Sequence, residues 1–354
     1  MHHCPAVKIG PRPENATEWL ALQLALAPTP IADTQIAFTA ARAIMAGTSL
    51  GLFDAIAGGH TTAPAVARAC ATDPRATQSL LDALVAIGYL RFRDATYANG
   101  RLVTKWLLTS ASRSIRAKLV FQRIEWELLS GLEDFVRTGK SIDLHASLGS
   151  EEQTLYQEAM HALAAGIAPA VASQIRLPAA PRRMLDIGGS HGLHSVAMCR
   201  LHPTLHAEIL DLPDAIASAS ALLARENMGD RVRHRAGDAL HGSLGRDLDL
   251  VLVVQLVHHF DAAQNAALAS RAFRALRPGG VLAIADLERA RRPGAGGAIG
   301  GTMDLYFALT SRSGTWSVDE MRRWQRAAGF RVRRPIHFPS LPGFVLQTAA
   351  KPTS

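Results

Sequence analysis

The sequence predicts an α/β fold: a doubly wound, mostly parallel sheet preceded by a smaller, mostly helical domain. Two observations lead to this prediction. From residue 184 onward, short apolar runs of strand length alternate with helical patterns, which is typical of a parallel sheet with both faces covered. Before residue 115, several short helical patterns lead into a polar turn between two β-type runs. These two patterns divide the chain into an N-terminal helical part and a C-terminal sheet part.

The N-terminal part is expected to contain an irregular arm followed by a winged helix. Residues 1–30 carry five prolines and predict an arm with one short helix at residues 14–26. Within residues 31–114, Asp73 stands before a proline at the start of a helical pattern that ends at Gly88, and a β-hairpin pattern follows it. Short helices followed by a hairpin indicate a winged helix.

A helical connector is expected between the two parts, over residues 115–180. Its helical pattern is interrupted at residues 139–150 and resumes as one long helix over residues 151–175. This helix is expected to direct four apolar side chains toward a core, namely Leu155, Met160, Leu163 and Ile167. Prolines after the helix mark the start of the last domain, residues 181–354.

The last domain contains the alternating strand and helix patterns. The predicted strands are residues 184–187, 206–210, 232–235, 248–254 and 281–286. The sequence Arg277-Pro-Gly-Gly280 predicts a turn that stops the preceding helix before the last of these strands. The resulting β-α alternation predicts a Rossmann-like sheet.

A glycine-rich turn follows the first strand of this sheet. Gly188, Gly189 and Gly192 allow the backbone to approach a ligand closely, and the next helix offers free N–H groups to an anion. Asp211 ends the second strand, nineteen residues after Gly192, where its carboxylate can accept hydrogen bonds from ribose hydroxyls. The pattern indicates a nucleoside-binding site, although an ordinary strand-to-helix turn would look similar.

The spacing of the turn narrows the choice of nucleoside. Counted from Gly188, positions +2 and +5 hold Ser190 and Leu193, and counting from Gly189 also finds no glycine there. A dinucleotide fingerprint is therefore absent, as is the Gly-Lys-Ser/Thr of a phosphate loop. An adenosine cofactor without a pyrophosphate remains, and S-adenosylmethionine (SAM) suits that description.

Composition and charge bound the function further. The 354 residues include three widely spaced cysteines, which predicts neither a disulfide framework nor a zinc site. No apolar run reaches the length of a membrane span and no secretory pattern opens the chain, so a cytoplasmic protein is expected. The net charge of +8 comes from dispersed arginines, and the predicted recognition helix carries one basic residue, Arg75, beside Asp73 and Asp82. We therefore expect neither a nucleic-acid nor a membrane partner.

Several motifs, taken together in order, resemble those of the SAM-dependent O-methyltransferases of secondary metabolism. The resemblance runs from about residue 35 to residue 350. The motifs are Leu50-Gly-Leu-Phe-Asp-Ala-Ile56, Asp186-Ile-Gly-Gly-Ser-His-Gly192, Asp211-Leu-Pro213, Ala236-Gly-Asp238, Leu256-Val-His-His-Phe260 and Leu276-Arg-Pro-Gly-Gly280. The family includes plant small-molecule enzymes and bacterial polyketide and pigment enzymes.

The resemblance implies a cofactor, a site and an assembly. SAM would be the methyl donor and S-adenosyl-L-homocysteine the product, with no metal. The N-terminal winged helix would form a homodimer and close the partner's substrate pocket. The implied cofactor-binding residues are Asp186, Gly188, Gly189, Ser190, Gly192, Asp211, Leu212, Gly237, Asp238, Ala239 and Gln255. Among them, Asp238 matches the residue that contacts the adenine edge.

The resemblance also implies the catalytic residues. His258 matches the general base that takes a proton from a phenol, and Asp286 matches a carboxylate that orients it. The adjacent His259 leaves open which histidine faces the acceptor. Thr315, which has no charge, falls at or near the position of a second orienting carboxylate. We expect His258 to be the base.

The acceptor is expected to be a small aromatic or polyketide-like molecule methylated on a hydroxyl. By resemblance, its pocket would include Trp126, Met160, His161, His259, Phe307 and Ser311. Two other functions remain open from the sequence: C-methylation, for example of an α-keto acid or an aromatic carbon, and a non-methylating or regulatory role on the same fold. Metal content would indicate the first, and duplex binding without SAM turnover the second.

Overall fold

The computed structural model describes residues 10, 11, 13, 15–311 and 313–353. Residues 1–9, 12 and 14 of the predicted arm lie outside the described part of the chain. Two compact units divide between Ile124 and Glu125. The predicted four-part division into arm, winged helix, connector and cofactor domain stays a prediction.

The N-terminal unit contains short helices followed by one hairpin. Its elements are α1 (Ala16–Gln23), α2 (Thr29–Ile31), a π-helical segment (Ala32–Ile36), α3 (Ala37–Ser49), α4 (Leu52–Ala57), α5 (Ala63–Cys70), α6 (Pro74–Ala86), β1 (Leu90–Arg93), β2 (Thr96–Asn99) and α7 (Arg101–Trp106). The carboxylate of Asp73 caps α6 by accepting from the N–H of Ala76 at 2.8 Å. Strands β1 and β2 pair antiparallel around the turn at Asp94 and Ala95. The predicted helices and hairpin of a winged helix are confirmed.

The observed helix α1 is shorter than the N-terminal helix predicted at residues 14–26. Helix α1 begins after Asn15, whose side-chain oxygen accepts from the N–H of Glu18 at 2.9 Å. It ends before Ala25, whose φ of 52° lies in the left-handed region that a helix cannot continue through. The local backbone conformation therefore ends the helix earlier than the apolar pattern predicts.

The helices from residue 116 onward are α8 (Arg116–Leu129), α9 (Leu132–Thr138), α10 (Leu144–Ser147), α11 (Ser150–Gln174), α12 (Leu193–Leu201), α13 (Pro213–Ala224), α14 (Ala262–Ala275), α15 (Gly297–Thr310) and α16 (Val318–Ala327). The strands are β3 (Arg183–Ile187), β4 (His206–Asp211), β5 (Val232–Ala236), β6 (Leu248–Val254), β7 (Leu276–Leu287), β8 (Arg331–Val332), β9 (Ile336–His337) and β10 (Phe344–Ala350).

Helix α11 is the predicted long helix, but its buried face differs from the predicted one. The four apolar side chains expected in the core are only half-buried. The fully buried positions are small or polar: Gln157, Ala159, Ala164, Ala168, Val171 and Ala172. This face packs against α12 and α13. Small side chains let helices approach closely, so alanines take the buried positions.

The sheet has the strand order β5-β4-β3-β6-β7-β10-β8, with β9 paired to β10. The pairs from β5 to β7 are parallel, and β10 is antiparallel to each of its neighbours. One buried cluster joins the sheet to α14 and α16, and another joins it to α11 and α12. Helices thus cover both faces, and the predicted doubly wound, mostly parallel sheet is confirmed.

Strand β7 begins earlier than predicted. Residues 277–280, where a turn was expected, are paired within the sheet: the N–H of Gly279 donates to the carbonyl of Lys351 at 2.9 Å, and the N–H of Lys351 donates to that of Gly280 at 2.8 Å. A Cβ at Gly280 would lie 2.8 Å from the carbonyl oxygen of Leu248, so this glycine permits close strand pairing. Helix α14 ends before this segment, at Ala275, as expected, and Gly279 keeps a turn-like φ of 80° inside the strand.

The parallel strands bring the predicted site residues to one edge of the sheet. Strands β3, β4 and β6 end at or just before Gly188, Asp211 and Gln255, and Asp286 is the next-to-last residue of β7. Ligands of open parallel sheets bind at these carboxyl ends, where the strand order reverses between β3 and β6.

Candidate active site

The glycine turn after β3 forms a tight approach to helix α12. Gly188 and Gly192 have φ of 69° and 80°, a region that glycine adopts without strain. A Cβ on Gly189 would lie 2.5 Å from the Asp186 carboxyl group. Each glycine is therefore needed for the backbone path.

Ser190 lies in the same turn with a left-handed φ of 45°. Its N–H donates to a carboxylate oxygen of Asp211 at 2.9 Å, and its carbonyl oxygen lies 2.7 Å from Nε2 of His234. Its hydroxyl donates to the side-chain oxygen of Gln157 on α11. All three polar groups of Ser190 are thus engaged within the protein.

Asp211 ends β4 beside this loop. Its two oxygens accept from the backbone N–H groups of Ser190 and Leu212, at 2.9 Å and 2.8 Å. Burial raises the pKa of this carboxyl. A carboxylate has about four acceptor positions. Asp211 can therefore still accept hydroxyl groups of a ligand while the backbone holds its orientation.

Asp186 is the most deeply buried acid of the cofactor motif. One oxygen accepts from the hydroxyl of Ser195 at 2.8 Å. The other is buried without a partner among the residues that the structure describes. Burial raises the pKa of Asp186 to about 7. An unpaired buried carboxylate oxygen is costly, so this atom indicates that a donor group of a ligand completes the site.

The predicted adenine-side residues follow β5. The N–H of Gly237 donates to the carbonyl of Asp211 at 2.9 Å, which ties this turn to the end of β4. One oxygen of Asp238 caps its own turn by accepting from the N–H of Leu240 at 2.7 Å. The Asp238 side chain is about half exposed, at 47%. Ala239 follows Asp238 in this turn. Gln255 follows β6 with a φ of 50°, and its N–H donates to the carbonyl of Ala285.

His258 and Asp286 form a buried pair at the ends of β6 and β7. Nδ1 of His258 lies 3.0 Å and 2.9 Å from the two carboxylate oxygens of Asp286. The two residues are 3% and 1% exposed. The N–H of Leu287 also donates to Asp286, at 2.8 Å. Nε2 of His258 makes no hydrogen bond within the described part of the chain, so this nitrogen can receive a proton.

Two hydrogen bonds from side chains hold the short 3₁₀ turn (Val257–His259) that carries this histidine. The carbonyl oxygen of Val257 accepts from Nε1 of Trp316 at 2.9 Å and from the side-chain amide of Asn265 at 3.0 Å. Both donor residues are buried. Sequence reasoning missed both: Trp316 lies 59 residues from Val257, and Asn265, although only eight residues away, belongs to no motif.

His259 lies beside His258, with ring centroids 4.3 Å apart, but has a different environment. Its Nδ1 lies 3.2 Å from the hydroxyl of Ser311, and the ring of His145 lies 5.0 Å away. Burial, followed by the charges of His258 and His145, holds the pKa of His259 well below its usual range. His259 is therefore a neutral hydrogen-bonding group near neutral pH. No sequence motif pointed to His145.

Thr315 makes no hydrogen bond to the catalytic pair among the described residues. Its N–H and hydroxyl both donate to one carboxylate oxygen of Asp304, at 2.8 Å and 2.5 Å. The position expected near a second orienting carboxylate is thus occupied by a threonine that binds a carboxylate from α15. In the described chain, Asp286 is the carboxylate that contacts His258.

Three of the predicted acceptor residues lie together near His258, and His161 lies beside the cofactor loop. The Phe307 ring is 4.0 Å from that of His258, so it joins the group that contains His259 and Ser311. Trp126 and Met160 are half-buried on α8 and α11. His161 lies 5.8 Å from the His191 ring and 3.7 Å from a carboxylate oxygen of Glu226. Burial lowers the pKa of His161.

His191 and His194 are buried within the cofactor loop and the start of α12. Nδ1 of His191 accepts from the N–H of Leu193 at 3.2 Å, and burial holds the pKa of His191 well below its usual range. Nδ1 of His194 has no partner among the described residues, and burial lowers its pKa to about 4. Both rings are therefore neutral near neutral pH.

The described residues contain no group of three or more His, Cys, Asp or Glu side chains that could hold a metal ion. In that part of the chain, no helix combines the length and the apolar character that crossing a membrane requires.

Two family models match the two parts of the chain. The O-methyltransferase dimerisation domain matches residues 33–114. The O-methyltransferase domain matches residues 135–331, more than half of the chain. The chain belongs to the O-methyltransferase family. The family uses SAM as its methyl donor, so the chain is a SAM-dependent methyltransferase, as predicted.

Characterised relatives agree with this assignment. The chain is 30% identical over 334 residues to acetylserotonin O-methyltransferase of Mus musculus, covering 86% of this chain and 84% of that one. It is 26% identical over 325 residues to 3-hydroxy-5-methyl-1-naphthoate 3-O-methyltransferase of Streptomyces sahachiroi, covering 89% and 93%. Human N-acetylserotonin methyltransferase, solved with SAM, has the same fold: TM-score 0.81, 19% identity, 96% and 99% coverage.

Proposed function

We propose that this methyltransferase acts on a hydroxyl of a small aromatic or polyketide-like metabolite, with His258 as the general base. The observation that carries the proposal is the buried pair of His258 and Asp286 at the carboxyl ends of two adjacent parallel strands. A histidine that is oriented by a carboxylate and has one free nitrogen suits the removal of a phenolic proton.

The cofactor would be held by the loop after β3 and the acids around it. The unpaired oxygen of Asp186 suits the amino group of SAM, and the positive end of the α12 helix dipole suits its carboxylate. Asp211 suits the ribose hydroxyls and Asp238 the adenine edge. When bound, SAM supplies a methyl group on a positively charged sulfur and leaves as S-adenosyl-L-homocysteine.

The two catalytic side chains divide the proton chemistry between them. The Nδ1–H of His258 donates a hydrogen bond to Asp286, so the lone pair of Nε2 is free for the acceptor hydroxyl. As Nε2 takes the proton of that hydroxyl, the imidazole becomes positively charged. The buried carboxylate of Asp286 stabilises this charge, because a charge-assisted hydrogen bond is stronger than a neutral one.

The acceptor is proposed to lie against the group that surrounds His258. Phe307 offers an aromatic face, while His259 and Ser311 offer neutral hydrogen-bonding groups. An aromatic molecule with oxygen substituents matches this combination. Trp126, Met160 and His161 stay predicted acceptor residues.

Incubation with labelled SAM and a panel of phenols and polyketide extracts tests the proposal. Mass analysis of the product identifies the acceptor and the methylated atom. His258→Ala should lower kcat by about 10²- to 10⁴-fold, the usual contribution of a general base. His206→Ala, a change of an exposed histidine on β4, is the control. Full activity of His258→Ala, or methylation on carbon alone, would contradict the proposal.

We also propose that the enzyme is a homodimer in the cytoplasm and that its N-terminal unit forms the dimer interface. The match of residues 33–114 to a dimerisation domain supports this assembly. Light scattering coupled to size-exclusion chromatography should give twice the mass of one chain. A single-chain mass at micromolar concentration would contradict the assembly.

A further inference from the structure

Gln157 is a buried amide on a helix face that is otherwise largely small and apolar. It is 4% exposed, and alanines occupy most of the other buried positions of α11. Burying an amide in such surroundings is costly unless it is hydrogen-bonded. Its side-chain oxygen accepts from the hydroxyl of Ser190 in the cofactor loop. The bond therefore joins α11 directly to the loop.

Ser190 has a backbone conformation that disfavours a serine. Its φ of 45° lies in the left-handed region, where a side chain is strained and glycine is not. Strained residues persist when the surrounding structure fixes them. Here the bonds to Asp211, His234 and Gln157 fix the backbone and the side chain of Ser190 at once.

We infer that Gln157 is a positioning residue for the cofactor loop. By accepting the Ser190 hydroxyl, it holds the serine in the conformation that directs its N–H at Asp211. That N–H in turn orients the carboxylate proposed to bind the ribose. The inference rests on the proposed function, because it assumes that this loop binds SAM.

Calorimetric titration of the purified full-length enzyme with S-adenosyl-L-homocysteine tests the inference. Gln157→Met keeps the side-chain volume and removes the acceptor. It should weaken binding about fivefold, the typical net effect of one hydrogen bond. The KM for SAM should rise by a similar factor, while kcat at saturating SAM stays within about twofold. A structural defect that disturbed the catalytic pair would lower kcat as well.

Variants of Ser190 separate the hydrogen bond from the backbone strain. Ser190→Ala removes the hydroxyl and keeps the strain, so it should weaken binding at least as much as Gln157→Met. Ser190→Gly removes both, and its affinity should recover toward that of the wild type. Adding Gln157→Met to either Ser190 variant should change affinity by less than about twofold, because the bond is already absent.

Gln153→Met is the matched control on the same helix, where the side-chain amide donates to the carbonyl of Leu148 at 3.5 Å and makes no bond to the cofactor loop among the described residues. It should leave binding unchanged. Equal weakening by Gln157→Met with and without the serine hydroxyl would overturn the inference, as would unchanged affinity of Gln157→Met in the wild-type background. If the wild-type enzyme itself fails to bind the cofactor product, the proposed function fails instead.

Discussion

Replacing Asp286 by asparagine isolates the charge that stabilises protonated His258. The shapes of the two side chains are nearly the same, so the packing is kept and the negative charge is lost. The carboxylate contacts Nδ1 at 2.9 Å and 3.0 Å in a site only 1% exposed, where water cannot replace it. A hydrogen bond to a charged group contributes about 1.5–3 kcal/mol. Because the positive charge arises only as the proton is transferred, kcat should fall by about 10- to 150-fold.

The assay is single-turnover methyl transfer at saturating SAM, with cofactor-product affinity measured in parallel. Affinity should stay within about twofold of the wild type, because the cofactor loop does not include Asp286. Asp304→Asn changes the carboxylate that binds Thr315 and serves as the control. The reasoning is refuted if Asp286→Asn keeps a wild-type kcat while melting normally, or if Asp304→Asn alone loses activity.

Three further substitutions have defined outcomes. Asp186→Asn removes a buried carboxyl group. Burial raises the pKa of this group from 3.8 to about 7, so between these pH values the acid ionises in the unfolded chain but not in the folded one, and the wild type loses stability. The melting temperature of cofactor-free Asp186→Asn should therefore rise relative to the wild type from about pH 4 to about pH 7 and stay level above that, and a constant difference across this range argues against this ionisation. Asp73→Ala removes the cap on Ala76 and should cost about 1 kcal/mol in denaturant unfolding, whereas an unchanged midpoint would exclude the cap as a stabilising bond. Trp316→Phe loses its bond to the Val257 carbonyl and should lower kcat more than cofactor affinity, the reverse pattern indicating a role in the cofactor loop.

Most strands and helices of the sheet domain follow from local patterns. The apolar run of β6 and the glycine turn after β3 depend on residues close together in sequence, so the chain itself specifies them. The start of β7 does not, because Gly279 and Gly280 pair with Lys351 near the C-terminus. A proline-glycine sequence looks like a turn until its distant partner is known.

The candidate site divides in the same way. The glycine loop, the ends of the strands and His258 could be located by motif and spacing. Two of the supporting bonds could not, since they join residues far apart along the chain: His259 with Ser311, and Val257 with Trp316. It is equally hard to predict which face of a helix is buried. In α11, alanines rather than the larger apolar residues form the buried face.

The two-sided character of α11 has a consequence for how acceptor preference could change. Alanines set the distance between this helix and α12, so a larger side chain there should push the helices apart and reduce stability. The half-buried side carries Leu155, Met160 and Leu163, where substitutions should cost less stability than at the alanines. Of these three, Met160 is a predicted acceptor residue. Under the proposed function, Met160 is therefore the position on α11 at which acceptor preference can be varied without opening the alanine face.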